Sequence, residues 1–191
     1  MIKRDSLLSL EAYARERNAF RARVMEHKKR RTVHLGDHLT LLFEDELTIR
    51  YQVQEMLRIE RIFEEAGIQG ELDAYNPLVP DGTNWKATML IEYTDVDERK
   101  RMLERLKGIE GEVWVQVQGC NGVHAIADED LERETEEKTS SVHFLRFELT
   151  AQMCQALRKG AAVSVGVDHP AYRARIELPP EVRAALAADV A

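Results

Sequence analysis

The hydrophobic positions at the start of the chain follow first a helical and then a strand spacing. Between residues 6 and 30 the apolar side chains fall near one side of a helix, and Ser6 is a suitable N-cap. Two short segments rich in β-branched and apolar residues follow, Thr32–Leu35 and Leu39–Phe43, on either side of a turn at Gly36-Asp37. The pattern therefore predicts a long amphipathic helix and then a β-hairpin.

A second helix is predicted after the hairpin. Thr48 can cap its N-terminus, the helical spacing continues to Ala66, and Gly67 is a suitable stop. Residues 76–82 contain two prolines and a glycine, which prevent regular strand pairing, so we expect a loop there.

The chain beyond this loop repeats one order of elements, strand–helix–strand–strand. Ile91-Glu92-Tyr93-Thr94 corresponds to Phe147-Glu148-Leu149-Thr150, and the alternating valines at 113–117 correspond to those at 163–167. We interpret the repeat as an internal duplication, and chance is the alternative because the matching stretch is short. The elements are 87–93, 95–107, 113–118 and 123–127 in the first pass and 142–149, 151–159, 162–167 and 172–178 in the second.

These elements predict an α+β fold in a single domain. The two β-α-β-β units would form one mixed β-sheet with helices on a face, preceded by the long N-terminal helix and the β-hairpin–helix segment. We expect an N-terminal helical and hairpin region (1–84), the first repeat (85–127), an acidic linker (128–141) and the second repeat (142–179).

The composition is typical of a globular protein from a reducing compartment. The 191 residues are 44% hydrophobic and 32% charged, and charged residues interrupt every long apolar window. No apolar stretch of signal-peptide length follows the N-terminus. Cys120 and Cys154 form no CxxC pair or metal-ligand motif. We therefore expect a cytoplasmic location and no membrane partner.

The charges are distributed unevenly along the chain. The net charge is −7, yet residues 1–31 carry ten Lys or Arg against four Asp or Glu. A basic helix of this kind could bind nucleic acid, but the acidic remainder would repel a phosphate backbone, and aromatic residues make up only 6%. We favour a solvated helix that lies across acidic parts of its own chain, so nucleic acid is not the expected partner.

Polar side chains fall within the apolar arc of the second predicted helix, namely Gln52, Glu55 and Glu60. A carboxylate at such a position must be protonated, paired with a cation or bound to a metal, because an unpaired buried charge is too costly. One interpretation is an internal ion pair or hydrogen-bond network. The other is that Glu55 or Glu60 faces a ligand, a proton or a metal.

Other residues could complete such a metal site. Glu44 ends the second hairpin strand shortly before the helix, and His169 lies at the tip of a predicted turn, where side chains are often functional. Glu44, Glu55 and His169 would form an oxygen- and nitrogen-rich site suited to iron, manganese or zinc.

A wider ligand or partner site could include residues next to the predicted loop and turn. Tyr75 and Asn76 precede the proline-rich loop, and Tyr172 follows His169 in the turn. No P-loop, GxGxxG, GxSxG or HExxH motif is present, so the sequence indicates no familiar nucleotide, hydrolase or zinc-protease chemistry.

Four stretches spread over most of the chain form a distinctive set: Phe43-Glu44-Asp45-Glu46-Leu47-Thr48, Gln52-Val53-Gln54-Glu55-Met56-Leu57-Arg58-Ile59-Glu60, Tyr75-Asn76-Pro77-Leu78-Val79-Pro80 and His169-Pro170-Ala171-Tyr172. Together they resemble an uncharacterised bacterial family, domain of unknown function 3501. The resemblance brings no activity with it. Genes of this family often neighbour those of rubrerythrin-like proteins and iron–sulfur oxidoreductases, which implies a role near peroxide defence or electron transfer and a redox protein as partner. The chain itself has neither the cysteine set of an iron–sulfur cluster nor the paired ExxH motifs of a di-iron bundle.

Three hypotheses about function follow. The leading one is a non-enzymatic accessory or binding protein in a redox, oxidative-stress or metal-linked pathway, with the helix that carries Glu55 and Glu60 beside its ligand or partner surface. The second is a small metal-dependent enzyme that uses Glu44, Glu55 and His169. The third is a nucleic-acid-associated regulator that acts through the basic N-terminal helix.

Overall fold

The computed structural model describes residues 1–190, which divide into two compact units. The first unit, Met1–Arg30 and Glu44–Pro80, is helical. The second unit, Arg31–Phe43 and the chain from Asp81 onward, contains the strands. The hairpin between the first two helices therefore belongs to the second unit. Within residues 1–190, every helix is too short or too polar to cross a membrane.

The α-helices of the first unit are α1 (Leu10–Lys29), α2 (Glu46–Ile59) and α3 (Glu65–Tyr75). Their apolar faces and the N-terminal segment enclose a small core, formed by Ile2, Leu7, Ile49, Val53, Leu57, Ile68 and Leu72. The long first helix is confirmed, but Ser9 rather than Ser6 is its N-cap. Ser6 lies instead in a separate 3₁₀ turn.

Helix α2 begins with a capping box. The Asp45 side chain accepts the backbone N–H of Thr48, and the Thr48 hydroxyl accepts the N–H of Asp45, both at 2.9 Å. The prediction of Thr48 as the cap is therefore corrected, since Asp45 is the cap and Thr48 is its reciprocal partner.

Helix α2 ends in a Schellman motif. Arg61 has a left-handed φ of 55°. Its N–H bonds to the Arg58 carbonyl at 3.4 Å, and the Ile62 N–H bonds to the Leu57 carbonyl at 2.9 Å. These bonds close the last turn and point the chain away from the helix axis.

The prediction that this helix continues to Ala66 is wrong for a local reason. Glycine is the usual residue at the left-handed position of such a turn, because other side chains are strained there. Here the position is occupied by Arg61, so the sequence contains no stop signal. Gly67, the predicted stop, lies instead inside α3.

The described strands of the second unit form two antiparallel sheets. They are β1 (Thr32–Leu35), β2 (Leu39–Phe43), β3 (Asn84–Ile91), β4 (Val113–Val117), β5 (Val123–His124), β6 (Ile126–Ala127), β7 (Val142–Glu148), β8 (Val163–His169) and β9 (Tyr172–Glu177). One sheet has the order β1-β2-β3-β7-β6 and the other the order β5-β4-β8-β9. Their inward side chains share a core with helices α4 (Val96–Arg105), α5 (Ala151–Arg158) and α6 (Pro180–Ala187).

The α+β class is confirmed, but two antiparallel sheets replace the predicted mixed sheet. Helices α4 and α5 carry the chain from one sheet to the other, so β3 pairs with β7 and β4 with β8. A parallel pair would need a crossover that returns to the same sheet. The strand–helix–strand–strand order does occur twice, from β3 to β5 and from β7 to β9, and its origin by duplication stays a prediction.

The segment predicted as one strand at 123–127 is divided between the sheets. β5 pairs with β4, and β6 pairs with β7. The acidic segment that follows is hydrogen-bonded to the rest of the second unit at both ends. The Asp128 N–H donates to the Phe144 carbonyl, and the Thr139 N–H donates to the Leu103 carbonyl.

Candidate functional site

Glu55 of α2 is held in an internal ion pair. Its carboxylate, 13% exposed, accepts hydrogen bonds from Arg17 Nε at 2.7 Å, Arg17 Nη2 at 2.8 Å and Tyr13 Oη at 2.7 Å. The hydrogen bonds from Arg17 lower the pKa of Glu55 to about 2, and burial together with the Glu55 carboxylate raises the pKa of Tyr13. Of the interpretations that the sequence leaves open, the geometry supports the ion pair at this residue.

The buried amide of α2 belongs to Gln54 rather than Gln52. Gln54 is 1% exposed, its Oε1 accepts the Leu8 N–H at 2.7 Å, and its Nε2 donates to the Leu8 carbonyl at 3.3 Å. Gln52 is half-buried, and Glu60 is exposed at the helix C-cap. The placement of Glu60 inside the apolar arc is corrected, because the helix ends before it.

Asn76 joins the end of α3 to the N-terminal segment. Its Oδ1 accepts the Ile2 N–H at 2.7 Å, and its Nδ2 donates to the Ile2 carbonyl at 3.1 Å. Tyr75 packs half-buried against the helical core. Both residues therefore hold the first unit together, and their role in a ligand cleft stays a prediction.

The residues of the predicted metal site lie in different units. Glu44 is buried just before α2, in the same unit as Glu55. His169 belongs to the second unit, where its Nε2 lies 3.0 Å from the Lys107 carbonyl oxygen and its Nδ1 accepts the Ala171 N–H at 3.1 Å. A metal at these three side chains stays a prediction.

Tyr172 connects strand β9 to the β1–β2 turn. Its hydroxyl donates to the Leu35 carbonyl at 2.6 Å and accepts the His38 N–H at 3.1 Å. Gly36 in this turn has a left-handed φ of 69°, and a Cβ there would lie 2.6 Å from Tyr172 Oη. The contacts give Tyr172 a positioning role within the second unit.

An apolar groove of about 400 Å³ opens on the first unit. Its walls are the segment before α1, the first turn of α1, the end of α2, the turn that follows it and the start of α3. Its apolar lining comes from Leu8, Leu10, Leu57, Ile62, Phe63 and Ile68. Phe63 is 73% exposed, so the groove has an aromatic ring in contact with water.

The turn after α2 shapes this groove. In a Schellman motif the residue after the left-handed position packs against the last helical turn, and here Ile62 and Leu57 line the groove together. Gly67 of α3 makes room for Ile62, because a Cβ at position 67 would lie 2.6 Å from Ile62 Cγ2. Phe63, the next residue of the turn, is left exposed.

Charged side chains lie among the residues that line the groove. Arg4 forms an ion pair with Glu65, with its Nη2 2.9 Å from Glu65 Oε1. Glu11, in the first turn of α1, is exposed. Arg4 is thus engaged by Glu65, whereas Glu11 presents an exposed carboxylate at the groove.

The exposed position of Phe63 does not follow from the sequence pattern. Ile62 and Phe63 continue the helical spacing of α2 beyond its last residue, so they are expected on the buried side of one long helix. No glycine or proline marks the turn that separates them from the helix.

The fold defines an α+β protein with a helical unit, on which the groove opens, and an antiparallel β unit. The chain belongs to the family described as "Protein of unknown function (DUF3501)", which matches residues 1–190, so the resemblance of its motifs is confirmed. It is similar to a novel protein of unknown function from Burkholderia pseudomallei K96243, known from a crystal structure. The two are 58% identical over 100% of this chain and 99% of that chain, with a TM-score of 0.95. No curated protein matches this chain.

Proposed function

We propose that this protein is a non-enzymatic accessory protein that binds a partner protein through the apolar groove of its first unit. The observation that supports the proposal is Phe63, an aromatic side chain left 73% exposed beside apolar walls. Contiguous exposed apolar surface is typical of interaction sites.

Burial of the groove would supply the free energy of binding. Covering a phenylalanine side chain contributes about 1.5–3 kcal/mol. The volume of about 400 Å³ lies within the range of binding pockets, about 300–1,000 Å³. The walls are helices, a hydrogen-bonded turn and the segment before α1, whose Leu8 backbone is hydrogen-bonded to Gln54, so few groups need to be ordered on binding.

The partner segment that fits this groove is an amphipathic helix with apolar residues three or four positions apart. A basic residue beside them would complement the charge of Glu11, because Arg4 is already paired with Glu65. Such a residue would fix the orientation of the helix more than it would raise the affinity.

We place this interaction in a redox, oxidative-stress or metal-linked pathway. The first partners to test are a rubrerythrin-like protein and an iron–sulfur oxidoreductase, the classes that the family resemblance implies. The groove's apolar lining supports an interaction, and the redox partner is the part of the proposal that rests on the resemblance.

Site-specific photocrosslinking in the native cell tests the proposal. A photoreactive phenylalanine at position 63 should form an adduct with one distinct redox protein. The same group at Val96, 50% exposed in α4 of the second unit, is the control and should not. Absence of a redox protein among the adducts at position 63, equal capture at both positions, or adducts with a second copy alone would contradict the proposal.

A binding measurement with the captured protein completes the test. Phe63→Ser should weaken the interaction at least about tenfold, which corresponds to about 1.4 kcal/mol. The same variant should leave thermal stability nearly unchanged, because the ring is mostly in water in the free protein. Undiminished affinity in this variant would refute the groove as the binding site.

A further inference from the structure

A buried histidine lies between carboxylates in the second unit. His143 is 0% exposed, its Nδ1 is 2.5 Å from Asp128 Oδ2, and its Nε2 is 3.9 Å from Glu110 Oε2. Ligand atoms of the three residues all lie within 4.8 Å of one another. Within residues 1–190, no other group of three or more His, Cys, Asp or Glu residues has its ligand atoms this close together.

The strand pattern makes this histidine unusual. Side chains of β7 alternate between inward and outward positions, and His143 occupies the inward position that precedes Leu145 and Phe147. It lies opposite Met89 of β3. An apolar residue at this position would need no polar partner. A buried imidazole and its carboxylates lose free energy unless hydrogen bonds or a bound ion compensate for the lost water.

Asp128 orients the imidazole ring. Its Oδ1 accepts the Phe144 N–H at 3.0 Å and pairs with Arg133 Nη1 at 3.2 Å. Its Oδ2 is left to accept a hydrogen bond from His143 Nδ1 at 2.5 Å. A carboxylate on one ring nitrogen directs the lone pair of the other nitrogen outward, which is the common arrangement behind metal-binding histidines.

The second ring nitrogen faces oxygen atoms. His143 Nε2 is 3.0 Å from the Ser140 carbonyl oxygen and 3.0 Å from Thr139 Oγ1, with Glu110 Oε2 at 3.9 Å. A lone pair on Nε2 would repel the carbonyl and the carboxylate. The Thr139 hydroxyl can donate to that lone pair, but the carbonyl and the carboxylate carry no hydrogen, and a cation between these atoms would be attracted by all of them.

Glu110 distinguishes these alternatives. Its Oε2 is buried and has no hydrogen-bond partner. A hydrogen bond between Thr139 and His143 leaves it so, and 3.9 Å is too long for a hydrogen bond between Glu110 and the ring itself. A transition-metal ion about 2.0–2.2 Å from each atom spans this separation and satisfies both.

We propose that Glu110, Asp128 and His143 form a binding site for a divalent transition-metal cation. His143 Nε2 and Glu110 Oε2 are the protein ligands, and Asp128 positions the imidazole. Nitrogen and carboxylate donors without a thiolate suit zinc, manganese or iron(II). The Glu110 side chain is 16% exposed and gives the cation a route from solvent.

This site is separate from the groove of the first unit. Its three residues lie in the 3₁₀ turn Ile109–Glu112, directly after β6 and on β7, all within the second unit. Loss of the cation and loss of the partner are therefore distinguishable by experiment.

Isothermal titration of ZnCl2 and MnCl2 into chelator-treated protein without an affinity tag tests the site. The wild type should bind one equivalent of at least one metal. Glu110→Gln keeps the shape of the side chain and should weaken this binding at least about tenfold. Glu112→Gln removes the same charge from the same 3₁₀ turn and should bind like the wild type. Circular dichroism confirms that each variant is folded.

Anomalous diffraction from a metal-soaked crystal locates the ion. The expected peak lies between His143 Nε2 and Glu110 Oε2. A wild type that binds neither metal would show that hydrogen bonds alone hold the cluster, and the proposal would be wrong. Equal affinity of the wild type and Glu110→Gln, or a peak elsewhere, would also overturn it.

Discussion

The packing of helix α3 against the Schellman turn can be tested with a pair of glycines in the same helix. A Cβ at Gly67 would lie 2.6 Å from Ile62 Cγ2, whereas a Cβ at Gly70 would meet nothing within 4 Å. Both glycines lie within the helix and neither has a left-handed φ. Gly67→Ala and Gly70→Ala therefore make the same chemical change in the same helix with different surroundings.

The magnitudes follow from two opposing effects. Alanine is more favourable than glycine in a helix interior by about 0.8–1 kcal/mol, and Gly70→Ala should realise most of this gain. At Gly67 the new methyl group meets the γ2 methyl group of Ile62, whose χ1 is stiff, and overpacking of this kind costs about 1–3 kcal/mol. We expect Gly67→Ala to be neutral or destabilising by up to about 2 kcal/mol, so the variants should differ by about 1–3 kcal/mol.

Thermal and urea unfolding, followed by circular dichroism in the helical region, measure the difference. For a chain of this size, about 1 kcal/mol changes the melting temperature by about 2–4 °C. Gly70→Ala should melt above the wild type and Gly67→Ala at or below it. If both variants gain the same stability, Ile62 is not packed against position 67, and the account of the groove walls is wrong.

Further predictions concern an ion pair, a strained turn and a buried arginine. Glu55→Gln should destabilise the protein by about 1.5–3 kcal/mol at neutral pH, because Arg17 loses its charged partner. The pKa of Glu55 falls from 4.5 to about 2 on folding, so this stabilisation is complete above about pH 5 and is lost as the pH falls towards 2. In urea unfolding across this range, the difference in unfolding free energy between the wild type and Glu55→Gln should become smaller as the pH falls. A difference that is independent of pH would refute the charge-based explanation. Arg61→Gly should stabilise the protein by about 0.5–1 kcal/mol, because glycine tolerates the left-handed φ of 55°, whereas the control Arg58→Gly inside α2 should destabilise it by about as much. A melting temperature of Arg61→Gly below that of the wild type would mean that a contact of the arginine side chain stabilises the protein by more than its left-handed backbone costs. Arg31 is 2% exposed and bonds to the Phe43 carbonyl and to Asp189, so Arg31→Met should cost about 3–5 kcal/mol in urea unfolding. A cost below about 1 kcal/mol would show that this buried pair contributes little.

The elements predicted most accurately are those with strong local signals. The β1–β2 hairpin has the predicted bounds, because apolar strand residues flank Gly36-Asp37 and this turn needs a glycine at φ 69°. The end of α2 could not be predicted, since its left-handed residue is Arg61. The sequence pattern consequently places Phe63 on the face of a helix rather than at the edge of a groove.

The proposed metal site could not be found from spacing, because its members come together only in the tertiary structure. Glu110 lies in a 3₁₀ turn, Asp128 follows β6 and His143 lies on β7. The one usable signal was a polar residue in the inward register of β7, where His143 precedes Leu145 and Phe147. Glu55 shows the converse, since its place on the apolar side of α2 was visible in sequence but its partner Arg17 was not.

The hairpin that interrupts the first unit has a consequence for biosynthesis. When residues 1–80 have left the ribosome, the helical segments are complete but β2 has an unpaired edge, because β3 is Asn84–Ile91. An open edge of this kind can join strands of other chains. A nascent chain of this length would therefore be prone to aggregate until translation supplies β3. A proteolytic fragment that ends there would stay prone to aggregate.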